Sequence, residues 1–113
     1  MNLDEIKIFD SAPFFFWVKN KAGVYLWGNQ TICRFAGEDV AGKTDYDLVW
    51  SENADALVAA DKQVFETGRP ITLEEFVDNS SQGKGDYYFN VCKWLNDIDG
   101  HPCCLGLSFI VEK

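Results

Sequence analysis

The sequence predicts an α+β fold in which a five-stranded antiparallel sheet carries short helices on one face. Two strand-like segments, rich in aromatic and β-branched residues, lie near the start of the chain and are joined by a tight turn. Three more such segments form its end, and the clearest amphipathic helix lies between the two groups. Because strands joined by hairpins run antiparallel, this order favours a single sheet with the helices packed on one side.

The composition indicates one globular domain with an acidic surface. The chain has 113 residues, of which 47% are hydrophobic and 15% aromatic, and its formal net charge is −8. Because the basic residues are scattered, this surface repels phosphate backbones and anionic lipids, so we expect no nucleic acid or membrane partner. No apolar run approaches the ~20 residues of a membrane span, and the acidic start is unlike a signal peptide. These features predict a cytoplasmic domain, although its parent protein could be membrane-anchored.

The first predicted element is a short amphipathic helix within residues 3–12. Leu3, Ile6 and Phe9 recur about one turn apart and form its apolar side. Pro13 ends the helix, because proline disfavours helical geometry in the residue before it.

A hairpin and a capped helix follow. The segments 14–20 and 24–29 are strand-like, and the letters NKAG between them are typical of a turn. Asn29 is a good N-cap for a helix over residues 29–35, which Gly37 stops.

The middle of the chain predicts short helical turns over residues 38–50 and one long helix over residues 51–68. Ser51 is expected to cap the long helix and Gly68 to end it. Its apolar stripe consists of Leu57, Val58, Val64 and Phe65.

Three strands over residues 71–78, 86–96 and 102–112 complete the predicted sheet. A longer link, residues 79–85, joins the first two, and a tight turn at residues 97–101 joins the last two.

Four sequence segments at the joints of these elements resemble the PAS domain, most closely the PAS domains of bacterial sensor histidine kinases. They read VKNKAGVYLWGN, FAGEDVAGKTDYDL, DKQVFETGRP and NDIDGHPCCLGLS, and they occur in the order and at the spacing that the family shows. The resemblance implies a single sensor domain over residues 1–113, with an N-terminal helix at 1–12 and a PAS core at 13–112. It also implies a homodimer attached to an effector such as a histidine kinase.

We expect no bound cofactor. The stretch NQTICRFAG is similar to the cysteine motif of flavin photosensors, but the resemblance places the reactive cysteine after the GK joint, where Thr44 and Asp45 stand. Cys33 is therefore interpreted as a packing residue rather than a flavin-adduct nucleophile. Haem-binding relatives carry their ligand on or near the long helix, and His101, the only histidine, lies at a turn. A single histidine also excludes a histidine-rich metal site.

The other three cysteines are also interpreted as packing residues. A symmetric hairpin about the turn at 97–101 places Trp94 opposite Cys103 and Leu105 opposite Cys92. Cys92 and Cys103 are then diagonal neighbours, about 7–8 Å apart and too distant for a disulfide. Cys103 and its neighbour Cys104 point to opposite faces of the strand.

Two polar residues, Asn29 and Asp61, are predicted to be structural. Asp61 lies within the apolar stripe of the long helix, where an unpaired carboxylate is costly. We expect Thr44, Tyr46 or a backbone amide as its hydrogen-bond partner.

Aromatic residues are the best candidates for a ligand pocket. Strand alternation puts Phe15 and Trp17 on the same face of the first strand, and Tyr25 and Trp27 on the same face of the second. It does not say which face of the sheet meets the helices. Core packing and an association surface therefore stay open as alternatives. The pocket candidates are Trp17, Tyr25, Trp27, Phe35, Tyr46, Phe65 and Trp94.

The leading functional hypothesis is sensing, in which a small molecule or a dimer contact through Leu3, Ile6 and Phe9 controls the effector. One alternative is a ligand-free dimerisation module of a transcriptional regulator or of a cyclic-dinucleotide enzyme. Another is a small α+β enzyme with Asp61 and Tyr46 as an acid/base pair. The sequence contains no nucleophile elbow, zinc-protease, Walker or dinucleotide-binding motif, so we expect no catalytic residue and no metal site.

Overall fold

The computed structural model describes residues 1–112 and confirms the predicted fold class. Its single five-stranded antiparallel sheet has the strand order β2–β1–β5–β4–β3. The N-terminal hairpin therefore lies beside the last strand of the chain, and the three C-terminal strands form a meander. The strands are β1 (Phe15–Lys19), β2 (Tyr25–Gly28), β3 (Ile71–Ser80), β4 (Gly83–Ile98) and β5 (His101–Val111).

The helices are α1 (Leu3–Ile6), α2 (Gln30–Ala36) and α3 (Ala54–Thr67), with single 3-10 turns at Lys7–Phe9, Asp45–Asp47 and Ser51–Asn53. The first helix is shorter than predicted because it tightens into a 3-10 turn after Ile6. Ser51 does not cap α3, since a separate 3-10 turn precedes that helix. Gly68 ends α3 in the left-handed region, as predicted (φ 67°). Within residues 1–112, no helix is long and apolar enough to span a membrane.

The two C-terminal hairpin turns are tighter than predicted. The β3–β4 turn needs only residues 81–82, because Ser80 pairs with Gly83 and most of the expected link is strand. The β4–β5 turn is Asp99–Gly100, and both residues have positive φ, as a two-residue turn of type I′ requires.

The shorter β4–β5 turn corrects the predicted register of the cysteines. Cys103 lies opposite Asn96 rather than Trp94, and Cys92 lies opposite Leu107 rather than Leu105. Cys92 and Cys103 are therefore not diagonal neighbours, and both are free thiols.

Asn29 ties the N-terminal segment, the sheet and α2 together. Its side chain is fully buried, and its Oδ1 accepts hydrogen bonds from the backbone N–H groups of Ile32 and Phe16, both at 3.2 Å. Its Nδ2 donates to the carbonyl oxygens of Phe9 at 3.0 Å and Phe14 at 2.8 Å. One amide thus satisfies four backbone groups at the start of the fold.

Both faces of the sheet are apolar and covered over much of their area. The inner face packs against α2 and α3, and α1 lies on the outer face. Ile6 is 2% exposed because it packs into the outer cluster of its own chain, and Leu3 and Phe9 are partly buried there. Ile6 thus packs within its own chain, and the predicted dimer contact through Leu3, Ile6 and Phe9 stays a prediction. Buried members of the outer cluster include Phe16, Val18, Ile98, Cys103 and Leu105.

Candidate functional site

A cavity of about 50 Å³ lies between the inner face of the sheet and the helices. Its wall combines aromatic rings with the charged side chains of Lys19, Asp45, Glu75 and Lys93. The aromatic part of the lining consists of Phe15, Trp17, Tyr25, Phe35, Trp50 and Phe89.

Phe35 of α2 is at the centre of the aromatic wall. Its ring centroid is 5.4 Å from that of Phe15 and 5.4 Å from that of Phe89, both in edge-to-face geometry. The Trp50 ring is 6.0 Å away on the side of the 3-10 turns. Such contacts fix each ring, so the apolar wall is preorganised.

The first half of a buried charge network is centred on Lys19. Its Nζ lies 2.5 Å from Asp45 Oδ2 and 2.6 Å from Asp61 Oδ2. The other oxygen of Asp45 accepts hydrogen bonds from the Tyr25 hydroxyl at 2.6 Å and from Trp50 Nε1 at 2.9 Å. Asp45 is thus satisfied on both oxygens while fully buried.

The second half is centred on Lys93, and Asp61 bridges the two halves. Lys93 Nζ lies 2.9 Å from Asp61 Oδ1 and 2.7 Å from Glu75 Oε2, and it donates to the carbonyl oxygen of Leu57 at 3.3 Å. The side chains of both lysines are at most 2% exposed. Two ammonium groups and three carboxyl groups therefore share the interior of the domain.

The network sets the protonation of its members. Burial by itself lowers the pKa of Lys19, but the Asp45 and Asp61 carboxylates outweigh burial and raise that pKa. Burial favours a higher pKa for Asp45, yet the charge of Lys19 brings it below its ordinary value. Burial raises the pKa of Tyr25 well above its ordinary value. Burial also raises the pKa of Glu75, and Lys93 offsets this only in part.

Trp17 contributes a buried donor that has no acceptor. Its side chain is 5% exposed, and its indole Nε1 has no hydrogen-bond partner within residues 1–112. Trp17 pairs with Gly106 of β5, and a Cβ atom at Gly106 would overlap the indole at Nε1 and the adjoining ring carbons. The glycine therefore leaves the space in which the indole lies across the inner face.

A wider cleft of about 380 Å³ lies next to the cavity, between the start of α3 and strand β3. Leu57 and Glu75 line both spaces, so their side chains lie where the two meet. The cavity alone is about one third of the ~150 Å³ that accommodates benzene in a protein core.

Three of the seven sequence-predicted pocket residues line the cavity, namely Trp17, Tyr25 and Phe35. Trp27 does not line the cavity. The β1–β2 pairing is irregular between Val18 and Lys19, so Trp27 lies on the opposite face of the sheet from Tyr25.

The other three candidates also lie elsewhere. Trp94 packs on the outer face, with its ring 6.0 Å from that of Phe16. Tyr46 is 52% exposed, and its hydroxyl donates to Asp55 at 2.7 Å. Phe65 is half-buried on α3 and is not part of the cavity wall.

The structure corrects the expected partners of Asp61. Its carboxylate pairs with Lys19 and Lys93 instead of Thr44, Tyr46 or a backbone amide. The acid/base pair of Asp61 with Tyr46 is also wrong, since the Tyr46 hydroxyl binds Asp55.

The two buried lysines were not among the predicted site residues, although the sequence carries a signal for them. Lys19 lies two residues after the inward-facing Trp17, and Lys93 lies two residues after the inward-facing Val91. Strand alternation therefore places both on the inner face, and buried lysines require carboxylate partners. Asp61, an aspartate within an apolar helical stripe, is the carboxylate partner that such lysines need.

Of the thiols, Cys104 is buried beside the network, with its Sγ 4.0 Å from Asp61 Oδ1. Cys33 is half-buried on α2, with its Sγ 3.6 Å from the carbonyl oxygen of Gly28, and burial raises its pKa. Burial raises the pKa of Cys104 to about 12. His101 is exposed at the start of β5. Within residues 1–112, no cluster of three or more His, Cys, Asp or Glu side chains is arranged to hold a metal ion.

Comparison with protein families gives a match over almost the whole chain. The family model described as the PAS fold matches residues 9–112. A curated diguanylate cyclase from Vibrio cholerae is 33% identical over 79 residues, which cover 67% of this chain and 25% of that protein.

Solved structures give the same fold at low identity. VqmA of Vibrio cholerae, in a complex with ligand and DNA, superposes with a TM-score of 0.81 at 17% identity, covering 97% of this chain and 51% of that one. A PAS domain from a two-component sensor histidine kinase superposes with a TM-score of 0.71 at 9% identity, covering 96% and 94%. The chain thus spans about a quarter of the curated relative and about half of VqmA.

Proposed function

This chain belongs to the PAS family, and we propose that its cavity binds a small molecule whose presence controls an attached effector domain. The PAS domain is a sensory module. The observation that carries the proposal is the cavity itself, where rigid aromatic rings meet buried charged groups and an unpartnered indole N–H. Ligand sites are typically apolar concavities with a few convergent polar groups.

The position of Leu57 and Glu75 supports a mechanism for the signal. A ligand larger than the 50 Å³ cavity has to displace these side chains towards the cleft, and so has to alter the packing of α3 against β3. A ligand shifts an equilibrium only if it binds one arrangement better than the other. The closed arrangement seen here is then the unliganded state, and the opened arrangement is the liganded one.

We propose a histidine kinase as the effector and a homodimer as the assembly. The sensor kinase PAS domain with the same fold supports the kinase. A second structure of Vibrio cholerae VqmA is that of a dimer without its target DNA, which supports dimerisation. A diguanylate cyclase or a DNA-binding regulator is the alternative effector, supported by the curated relative and by VqmA. The net charge of −8 supports a domain that leaves DNA contact to another part of its protein.

The test is native mass spectrometry of the chain purified without added ligand, followed by identification of any released molecule. Ser108 lines the cavity and is 3% exposed, so Ser108→Val narrows the space with a small change in shape. We expect a retained small molecule with the wild type and its loss in Ser108→Val. Thr72→Val, at an exposed position of β3, is the matched control and should retain it. A wild-type protein that carries no small molecule, and that no member of a metabolite library stabilises against heat, contradicts the proposal.

A second candidate function, a ligand-free interaction module, is favoured by an apolar area of the outer face that α1 leaves uncovered. Phe109 is 50% exposed there and lies beside a groove that Cys92 and Leu107 also line. Sedimentation velocity over a concentration series tests it. A tight dimer without ligand, dissociated by Phe109→Asp, supports this function, whereas a protein that retains a small molecule supports sensing whatever its assembly.

A further inference from the structure

The indole N–H of Trp17 is a buried donor at the cavity wall to which a ligand could offer a hydrogen-bond acceptor. Buried donors are rarely left unpaired, because they lose their hydrogen bonds to water and gain none in return. A phenylalanine would fill the same apolar space without that cost. Trp17, Gly106 and Lys93 lie in register on three adjacent strands, so an indole lying over Gly106 extends from β1 towards the lysine.

The two buried lysines are not available to a ligand. Lys93 Nζ donates hydrogen bonds to Asp61 and to the carbonyl oxygen of Leu57, and it forms an ion pair with Glu75 at 2.7 Å. Lys19 is held by two carboxylates, and its Nζ lies 4.8 Å from the centroid of the Tyr25 ring. An anionic ligand would have to break one of these ion pairs and leave a buried carboxylate without its cation, which is strongly unfavourable.

The charge around the cavity also opposes an anion. Three carboxyl groups, those of Asp45, Asp61 and Glu75, face only two ammonium groups. The neighbouring cleft carries the carboxylates of Glu52, Asp55 and Glu74, and no lysine or arginine belongs to its lining within residues 1–112. Lys84 lies beside the cleft, but its Nζ is already paired with Glu52 at 3.4 Å. An approaching anion therefore meets like charge at every stage.

The two buried lysines disfavour a cationic ligand. The ammonium groups of Lys19 and Lys93 already occupy the carboxylates of the interior, and both line the cavity. A further cation would offer no acceptor to Trp17 and would be repelled by both lysines.

We propose that the ligand is an uncharged molecule with a carbonyl or ring-nitrogen acceptor, which receives the hydrogen bond from Trp17 Nε1 beside the wall formed by the Phe15, Phe35 and Phe89 rings. This inference rests on the proposed ligand-binding function and specifies its chemistry. Trp17 is then a specificity-determining residue, because only a ligand with an acceptor repays the desolvation of its N–H.

The test uses four probes that share one phenyl ring: benzamide, toluene, benzoate and benzylamine. Each is titrated into the full chain, and binding is followed by the indole N–H resonances in ¹H–¹⁵N spectra, with Trp17→Phe assigning the peak of Trp17. We expect benzamide to move the Trp17 resonance downfield with saturation. Toluene should bind without that shift. Benzoate and benzylamine should bind at least about tenfold more weakly than benzamide.

The variants give the second arm. Trp17→Phe should weaken benzamide about three- to tenfold and leave toluene unchanged, since only benzamide loses a hydrogen bond. Trp27→Phe, on the outer face, is the matched control and should change neither. Binding of benzoate or benzylamine as tight as that of benzamide, or benzamide binding without a Trp17 shift, overturns the inference while ligand binding stands. No response of any cavity resonance to any of the four probes overturns the inference, whereas the proposed function is overturned only by the mass-spectrometric and library result described above.

Discussion

Asp61 determines whether two ammonium groups can remain in the core. Its oxygens lie 2.6 Å from Lys19 Nζ and 2.9 Å from Lys93 Nζ, and its side chain is 7% exposed. Each lysine also has a second carboxylate, but only Asp61 belongs to both. Removal of one member of a buried ion network costs more than the network contributes, because the remaining charges are left uncompensated.

We predict that Asp61→Asn lowers the free energy of unfolding by about 3–5 kcal/mol. The amide keeps the shape of the carboxylate but removes the charge that both lysines share. Urea unfolding followed by tryptophan fluorescence measures the loss. Glu66→Gln is the control, since Glu66 is an exposed residue of the same helix and should behave like the wild type. Equal unfolding midpoints for the two variants would show that the network is dispensable.

Glu75 should make stability depend on pH in the opposite sense to an ordinary ion-paired carboxylate. Burial raises its folded-state pKa above the ordinary value of 4.5. At pH values between 4.5 and the raised folded-state pKa, the folded protein binds more protons than the unfolded chain. The free energy of unfolding therefore falls as pH rises through this window. Glu75→Gln removes the titration, so its free energy of unfolding relative to that of the wild type should rise from pH 4.5 upwards and then level off. Urea midpoints of both proteins, measured from pH 4 to pH 8, test this, and parallel curves would refute it.

At the scale of elements, the local signals of the sequence were sufficient where one residue decides the geometry. Asn29 starts α2 and Gly68 ends α3 as expected, because a side-chain cap and a left-handed glycine act within one turn. The β4–β5 register had a local signal too, because Asp99-Gly100 is a dipeptide typical of a two-residue turn in which both φ angles are positive. The expectation of a longer turn over residues 97–101 overlooked that signal and so shifted the register.

Asn29 should matter more than an ordinary helix cap. We predict that Asn29→Ala lowers the free energy of unfolding by about 2–4 kcal/mol, since it removes a cap and leaves buried backbone groups of Phe9, Phe14 and Phe16 unpaired. Asn2→Ala is the matched control, because Asn2 caps α1 at an exposed position through a single reciprocal pair with Glu5. It should cost about 1 kcal/mol or less. Thermal unfolding of both variants measures the difference, and equal losses would reduce Asn29 to a simple cap.

At the scale of the whole molecule, the candidate site shows what a sequence leaves undecided. The α+β class and the aromatic character of the cavity were predictable from strand patterns, and Trp17, Tyr25 and Phe35 do line it. The face that each aromatic occupies was not, because the irregularity in the β1–β2 pairing separates Trp27 from Tyr25. The lysine–carboxylate network joins β1, β4, the 3-10 turn at Asp45–Asp47 and α3, so it exists only once the chain is folded.

Packing between distant parts of the sequence also forms the outer face, where α1 packs against the sheet of its own chain. Ile6 is 2% exposed against the sheet, whereas Ile8, two residues later, is 77% exposed. We predict that Ile6→Ala lowers the free energy of unfolding by about 2–5 kcal/mol, as deletion of a buried aliphatic side chain does. Ile8→Ala is the matched control and should leave stability unchanged. Urea unfolding and sedimentation velocity on both variants distinguish packing from assembly. A fall in dimer affinity for Ile8→Ala without loss of stability would place the partner on the exposed side of this segment, and equal stability of both variants would mean that α1 is not docked in solution.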